Sequence, residues 1–355
     1  MTDPQQFAAE LLRTSAVGYA AAAARQYLSE HPSAAERYGP NAIGTWRELL
    51  THRLFELATA VRLNRPALFA ARIAWLHSAF AARHGDIGDL AAGLHALQTT
   101  LEAELPEQAR GPVAACFAAG LAALDAPPGP SASLLDPSDA RDRWALRYIA
   151  ACLEGRHDEA LAVVTGEARR ELGAAGAYLD VLLPAQAEVG RLWHAGEITV
   201  AEEHLVSETT LQATVLLSAE PASKQVDKTV LTAAVEGNAH DIGIRAVADF
   251  FRMAGWRSIA LGANVPAAEI ARAAQTFGTD IVALSTTLTT QLEPLQETIA
   301  LLRQAVPGVK IIVGGHVFDS SPDLWRDIGA DAYTKRPDEA VQRAAGLLGV
   351  DAQPA

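Results

Sequence analysis

The hydrophobic period of this chain changes once, near residue 222, and that change decides what each part can fold into. Downstream, short apolar runs recur at Thr229–Val235, Ile281–Ser285 and Val309–Gly315, with weaker ones at Ser258–Leu261 and Asp331–Tyr333. Stretches with helical spacing separate them, at 243–254, 266–277, 291–305 and 322–328. Short apolar strands alternating with helices predict a doubly wound parallel sheet, a Rossmann-like α/β domain over residues 223–349. Upstream the apolar steps are three and four. Trp46, Leu49, Leu50, Leu54, Leu57, Ala58 and Val61 make one helical stripe, and Leu68, Ile73, Leu76 and Phe80 continue it after Pro66, a residue suited to a first turn. No alternating strand pattern interrupts residues 1–126, which read as an all-helical domain. The run Ala126-Pro127-Pro128-Gly129-Pro130-Ser131 cannot carry a helix ladder and places a linker at 127–137. Helical periodicity then resumes in four segments, Trp144 to Leu153, Ala160 to Val164, Tyr178 to Leu192 and Val200 to Leu217, so residues 138–222 predict a four-helix bundle.

Charge narrows the function classes. The net charge of −13 argues against nucleic acid as a partner, because phosphate neutralisation needs clustered Lys and Arg. Residues 1–125 carry ten Arg and no Lys against twelve Asp plus Glu, a balance of −2 with no basic recognition helix. Cys116 and Cys152 have no CxxC neighbour, so neither a disulfide framework nor a zinc site is indicated. A polar N-terminus and the lack of any membrane-length apolar run predict a cytoplasmic protein without a membrane partner.

The chemistry concentrates after the first strand, in Glu236-Gly237-Asn238-Ala239-His240-Asp241-Ile242-Gly243. Ligands of such sheets bind beyond the carboxyl ends of the strands, and a neutral imidazole there is a good ligand for a transition metal. A lone histidine on a turn is ordinarily a cap or a loop residue. Here it stands first in a series: Asn238-Ala239-His240-Asp241-Ile242-Gly243, then Ser285-Thr286-Thr287, then Gly314-Gly315, each at a strand end. The series resembles the Asp-x-His-x-x-Gly, Ser-x-Leu and Gly-Gly fingerprint of methionine synthase-like cobalamin-binding domains. The resemblance implies that the dimethylbenzimidazole tail of a cobalamin enters the sheet and that His240 replaces it as lower axial ligand of cobalt. It further implies that Ser285 contacts the tail and that Gly314 and Gly315 leave room for it, while Gly243 allows close backbone approach. Two positions depart: Asn238 stands in place of Asp and brings no charge, and Thr287 stands in place of Leu.

Upstream, Trp193-His194 is followed by Glu203-His204. A Trp on a helix is more often core, and a Glu-His pair more often a solvated face. Placed before a cobalamin-type domain, the spacing resembles the cap of light-responsive adenosylcobalamin repressors. That resemblance implies that Trp193 covers the upper ligand, that Glu203 and His204 line the adenosyl pocket, and that His194 binds cobalt after photolysis. The DNA-binding domain of those repressors has no counterpart in residues 1–126. The helical region there resembles that of photocobilins, which implies biliverdin as a second chromophore; Arg72, His77, Arg83, His84 and Asp86 are suitable types, with Cys116 the one cysteine available for a thioether. The expectation is therefore a non-enzymatic light sensor that self-associates in a light-dependent way and signals to a protein partner. The alternative is a corrinoid carrier for methyl transfer.

Overall fold

The computed structural model describes residues 3–83, 85–126, 132–218 and 225–351, and the chain divides into two compact units, 1–130 and 131–355. Residues 127–131 of the predicted linker lie outside the described residues, as does His84. No helix among the described residues is long and apolar enough to cross a membrane.

The first unit is helical throughout: α1 (Pro4–Thr14), α2 (Ala16–Glu30), α3 (Pro32–Tyr38), α4 (Ala42–Arg62), α5 (Pro66–Ala82), α6 (Ile87–Glu104) and α7 (Glu107–Asp125). Pro66 opens α5 as expected, and Asp86 caps α6 by accepting from the Gly88 N–H at 2.8 Å. Small residues let the helices close on bulky ones. A Cβ at Gly120 would lie 2.6 Å from the Phe69 ring. Buried charges are paired: Asp89 accepts two bonds from Arg37 (3.0 and 2.6 Å), and Glu56 accepts from Arg53 (2.6 and 2.9 Å) and Arg72 (3.0 Å).

The second unit opens with α8 (Asp142–Leu153) and α9 (His157–Leu161), which runs on through a π-helical stretch at Ala162–Ala168 into α10 (Arg169–Ala177). Gly173, at φ 76°, kinks α10, and a second π stretch at Tyr178–Leu182 leads into α11 (Leu183–His194), after which α12 (Val200–Leu217) returns antiparallel. The sheet follows as β1 (Thr229–Val235), α13 (Ile242–Met253), β2 (Arg257–Val265), α14 (Ala267–Phe277), β3 (Ile281–Ser285), α15 (Leu292–Ala305), β4 (Lys310–Gly314), α16 (Leu324–Asp327), β5 (Ala332–Tyr333) and α17 (Pro337–Leu348). All pairings are parallel in the order β2-β1-β3-β4-β5, the expected Rossmann-like α/β arrangement. Strand order reverses between β1 and β3, so a crevice opens beyond their carboxyl ends.

Two elements differ from the sequence reading. β2 spans nine residues rather than four, because as an edge strand it is half exposed and carries little apolar signal. α17 was not predicted; its buried face is Ala340, Val341, Ala344 and Ala345, too small to stand out. The bundle and the sheet share one core, in which Tyr178 donates to Asp249 of α13 at 2.5 Å. Leu135, assigned by sequence to the linker, is buried in that core.

Candidate functional site

The loop between β1 and α13 is tied to its neighbours by hydrogen bonds. Gly237 turns it at φ 78°, a conformation that glycine adopts freely. Its N–H donates to Asn264 Oδ1 (2.7 Å), and its carbonyl accepts from Gln291 Nε2 (2.9 Å). Gln291 Oε1 in turn accepts from the Thr287 and Leu288 N–H groups, both at 2.9 Å. Gln291 thus stitches the loop after β3 to the loop after β1. Sequence reasoning missed both Asn264 and Gln291. Asn264 lies at φ 54°, which Asn tolerates, but no local pattern marks either residue as a partner of position 237.

Asn238 sits wholly buried at the base of the crevice. Its Nδ2 donates to the Ser285 carbonyl at the end of β3 (3.0 Å), and its Oδ1 accepts from the His240 backbone N–H (3.1 Å). Those neighbours fix the amide orientation, because a carbonyl can only accept and an N–H can only donate. His240 Nδ1 then lies 3.4 Å from an oxygen that can only accept, a long contact that favours the tautomer with Nδ1 protonated. The ring is exposed, and Nε2 keeps its lone pair. Asp241 engages Arg245 Nε at 2.6 Å, ahead of Ile242, the first residue of α13.

Two of the glycines are required by the chain itself. A Cβ on Gly315, at φ 112°, would collide with the Thr286 carbonyl, and one on Gly314 would lie 2.9 Å from the Thr334 carbonyl. These glycines therefore let β4 close against its neighbours. Gly243 meets nothing within 4 Å, so nothing in this chain requires a glycine there. Thr286 Oγ1 is buried at the same crevice with no hydrogen-bond partner.

In the bundle, Trp193 and His194 end α11 and are half-buried. Glu203 accepts from His204 Nδ1 (2.6 Å) and from the Ser207 hydroxyl (2.7 Å). The His204 side chain is 71% exposed, whereas Glu203 is largely covered. The end of α11 is clamped. Glu188, 3% exposed, accepts from Arg191 (3.0 and 2.8 Å) and from the Leu134 N–H (2.8 Å), and Arg191 also reaches Glu197 (2.8 Å). Burial pushes the Glu188 carboxyl upward, but the Arg191 and Leu134 donors outweigh it and hold the group below the usual carboxylate range.

This geometry fits a metal that brings most of its own coordination. Among the described residues no group of three or more His, Cys, Asp or Glu could hold a metal ion, while one oriented imidazole stands at the strand switch point. Residues 228–345 match a B12 binding domain, and residues 144–217 match a second B12 binding domain. A corrinoid protein from Desulfitobacterium hafniense is 31% identical over 169 residues, covering 45% of this chain and 77% of its own length. The chain belongs to the B12-binding corrinoid proteins. Within this family it is 36% identical over 141 residues to the HTH-type transcriptional repressor CarH of Myxococcus xanthus, a match that covers 39% of this chain and 46% of the repressor. The Methanosarcina barkeri monomethylamine corrinoid protein shares the fold, with a TM-score of 0.51 at 21% identity over 59% of this chain and all of that one.

The candidate bilin residues of the first unit are drawn into its own packing. Arg72 binds Glu56 and stacks 4.6 Å over Trp75, His77 is buried, and Asp86 caps α6. Arg83 Nη1 lies 3.5 Å from the Ala79 carbonyl. Cys116 is a buried free thiol whose pKa is pushed up to about 11 by burial. A cavity of about 50 Å³ lined by Leu101, Leu105, Val113 and Phe117 is far smaller than the roughly 300 Å³ or more of a typical ligand pocket.

Proposed function

We propose that this corrinoid protein is a light sensor that binds adenosylcobalamin and acts by changing its packing rather than by catalysis. The observation that carries the sensor reading is the pairing of Trp193-His194 at the end of α11 with Glu203-His204 on α12, in the part of the chain that matches a B12 binding domain. When bound, the cofactor supplies a cobalt–carbon bond that visible light breaks. His240 would hold the lower face through Nε2, with Asn238 fixing its ring. Ser285, Thr287, Gly314 and Gly315 would frame the tail side of the crevice, with Asp241, Ile242 and Gly243 at the start of α13. Trp193 would shield the upper ligand, Glu203 and His204 would contact it, and His194 would take its place at cobalt after illumination. Leu205, Val215 and Leu216, left exposed on α12, suit a surface that repacks between copies when the bundle shifts. A downstream protein would read the change, with no part for nucleic acid.

The test is reconstitution of the full chain with adenosylcobalamin in darkness, followed by spectra before and after green light. Light-dependent loss of the adenosyl group, a base-off shift in His240→Ala without loss of fold, and a change in elution volume support the reading. Tighter binding of methylcobalamin, with methyl exchange to a partner in darkness, would place the protein among methyl carriers instead. Biliverdin as a second chromophore rests on resemblance alone, since Arg72 and Asp86 are already engaged. A red absorbance band after incubation with excess biliverdin is the result that would establish it.

A further inference from the structure

We propose that Ser207 is a positioning residue of the upper site, holding the Glu203 carboxylate where it can accept from the hydroxyl groups of an adenosyl ligand. The inference rests on the reading of Glu203 above and goes beyond it, because Ser207 does not belong to the Trp193–His204 pattern.

The argument follows the protons. Tyr148 of α8 lies 2.8 Å from Thr210 Oγ1 of α12, and Gln186 Nε2 of α11 donates to the same oxygen at 2.7 Å. The Thr210 hydroxyl has one proton, and it goes to the Val206 carbonyl at 2.9 Å. Thr210 therefore accepts from both neighbours, and this fixes the Gln186 amide with nitrogen toward Thr210 and oxygen toward Ser207. The Ser207 hydroxyl stands between Gln186 Oε1 (3.3 Å) and Glu203 Oε1 (2.7 Å), and its proton belongs with the shorter, charged contact. Glu203, one turn before Ser207 on α12, receives a second donor from His204 at 2.6 Å. The carboxylate is thus held by two donors, Ser207 and His204, while Gln186 Oε1 faces the Ser207 hydroxyl only as a longer, competing acceptor. A carboxylate held in this way loses little freedom when it accepts from a diol, whereas a mobile one must be ordered first. Sugar hydroxyls are such donors; a methyl group offers none.

The measurement is the ratio of dissociation constants for hydroxocobalamin and adenosylcobalamin, taken by absorbance titration of the full chain in darkness. Wild type should favour adenosylcobalamin. Ser207→Ala should lower the ratio by about tenfold, the order of one charge-assisted hydrogen bond, with hydroxocobalamin affinity unchanged. Ser207→Thr keeps the hydroxyl and should restore the ratio. A wild-type preference that survives Ser207→Ala overturns the inference alone. A wild-type ratio near one overturns it together with the adenosyl reading.

Discussion

The loop below β1 and the helix pair α11–α12 both present histidines, but they are built differently. At the loop, position follows from backbone. Asn238 is held by the Ser285 carbonyl and the His240 N–H, Gly315 approaches the Thr286 carbonyl closely, and His240 inherits its place from them. In the helix pair, position follows from side chains meeting across two helices: Gln186 with Thr210, Ser207 with Glu203, and Glu188 with Arg191 and Leu134. A backbone-built site should tolerate few changes and fail as a unit. A side-chain-built site should lose function in steps.

The sharpest way to break this contrast is Gly315→Ala. The new Cβ collides with the Thr286 carbonyl in a backbone conformation that L residues rarely adopt. The expected cost is about 3 kcal/mol or more, read as the shift in a urea unfolding midpoint. A loss below about 1 kcal/mol would mean that β4 can move away from β3, and the backbone-built account would fail.

Glu188→Gln probes the helix pair. It keeps the shape but removes the charge facing Arg191, for an expected loss of about 2 kcal/mol at neutral pH. The pH dependence has a definite sign. The Glu188 pKa is depressed in the folded chain, so its contribution is present above the ordinary carboxylate range and is lost as pH falls through the folded value. The gap between wild type and variant should therefore close on acidification. A gap that widened would assign the stability to some other carboxylate.

The same contrast explains what was legible in the sequence. The alternation of strands and helices, the switch-point loop and His240 could be read locally, because each depends on neighbours in sequence. Gln291 bonds a residue 54 positions away and Glu188 bonds the Leu134 N–H 54 positions away, so no local pattern marks them. Gly314 and Gly315 were found by resemblance, and spacing could not show that the chain's own backbone also requires them. His204 was assigned from a resemblance in spacing, which does not show how exposed its side chain is.

Asn238→Asp sharpens the comparison from the loop side. Asn is the residue that can donate to the Ser285 carbonyl and accept from His240 at once. An aspartate would set a second acceptor against that carbonyl, in a wholly buried place, so its pKa should rise. Stability close to wild type at acid pH should then fall as pH rises through the ordinary Asp range toward that raised value, by about 1–2 kcal/mol at neutrality. A variant with an unchanged pH profile would show that the crevice admits water or a counter-charge.

Gly243→Ala should have the smallest effect on the fold and the most to say about the ligand. The residue lies in the first turn of α13, is exposed, and a Cβ there meets nothing within 4 Å. Alanine is a better helix former than glycine, so unfolding stability should hold steady or rise by about 0.5–1 kcal/mol. If a corrin approaches the backbone beside His240, however, the methyl group must stand in its way, and affinity for hydroxocobalamin should fall several-fold while the unfolding midpoint does not. That divergence separates this glycine from Gly315, whose requirement comes from the chain itself. Equal affinity in the variant would show that the ligand keeps clear of position 243, and that the last glycine of the loop serves neither the fold nor the cofactor.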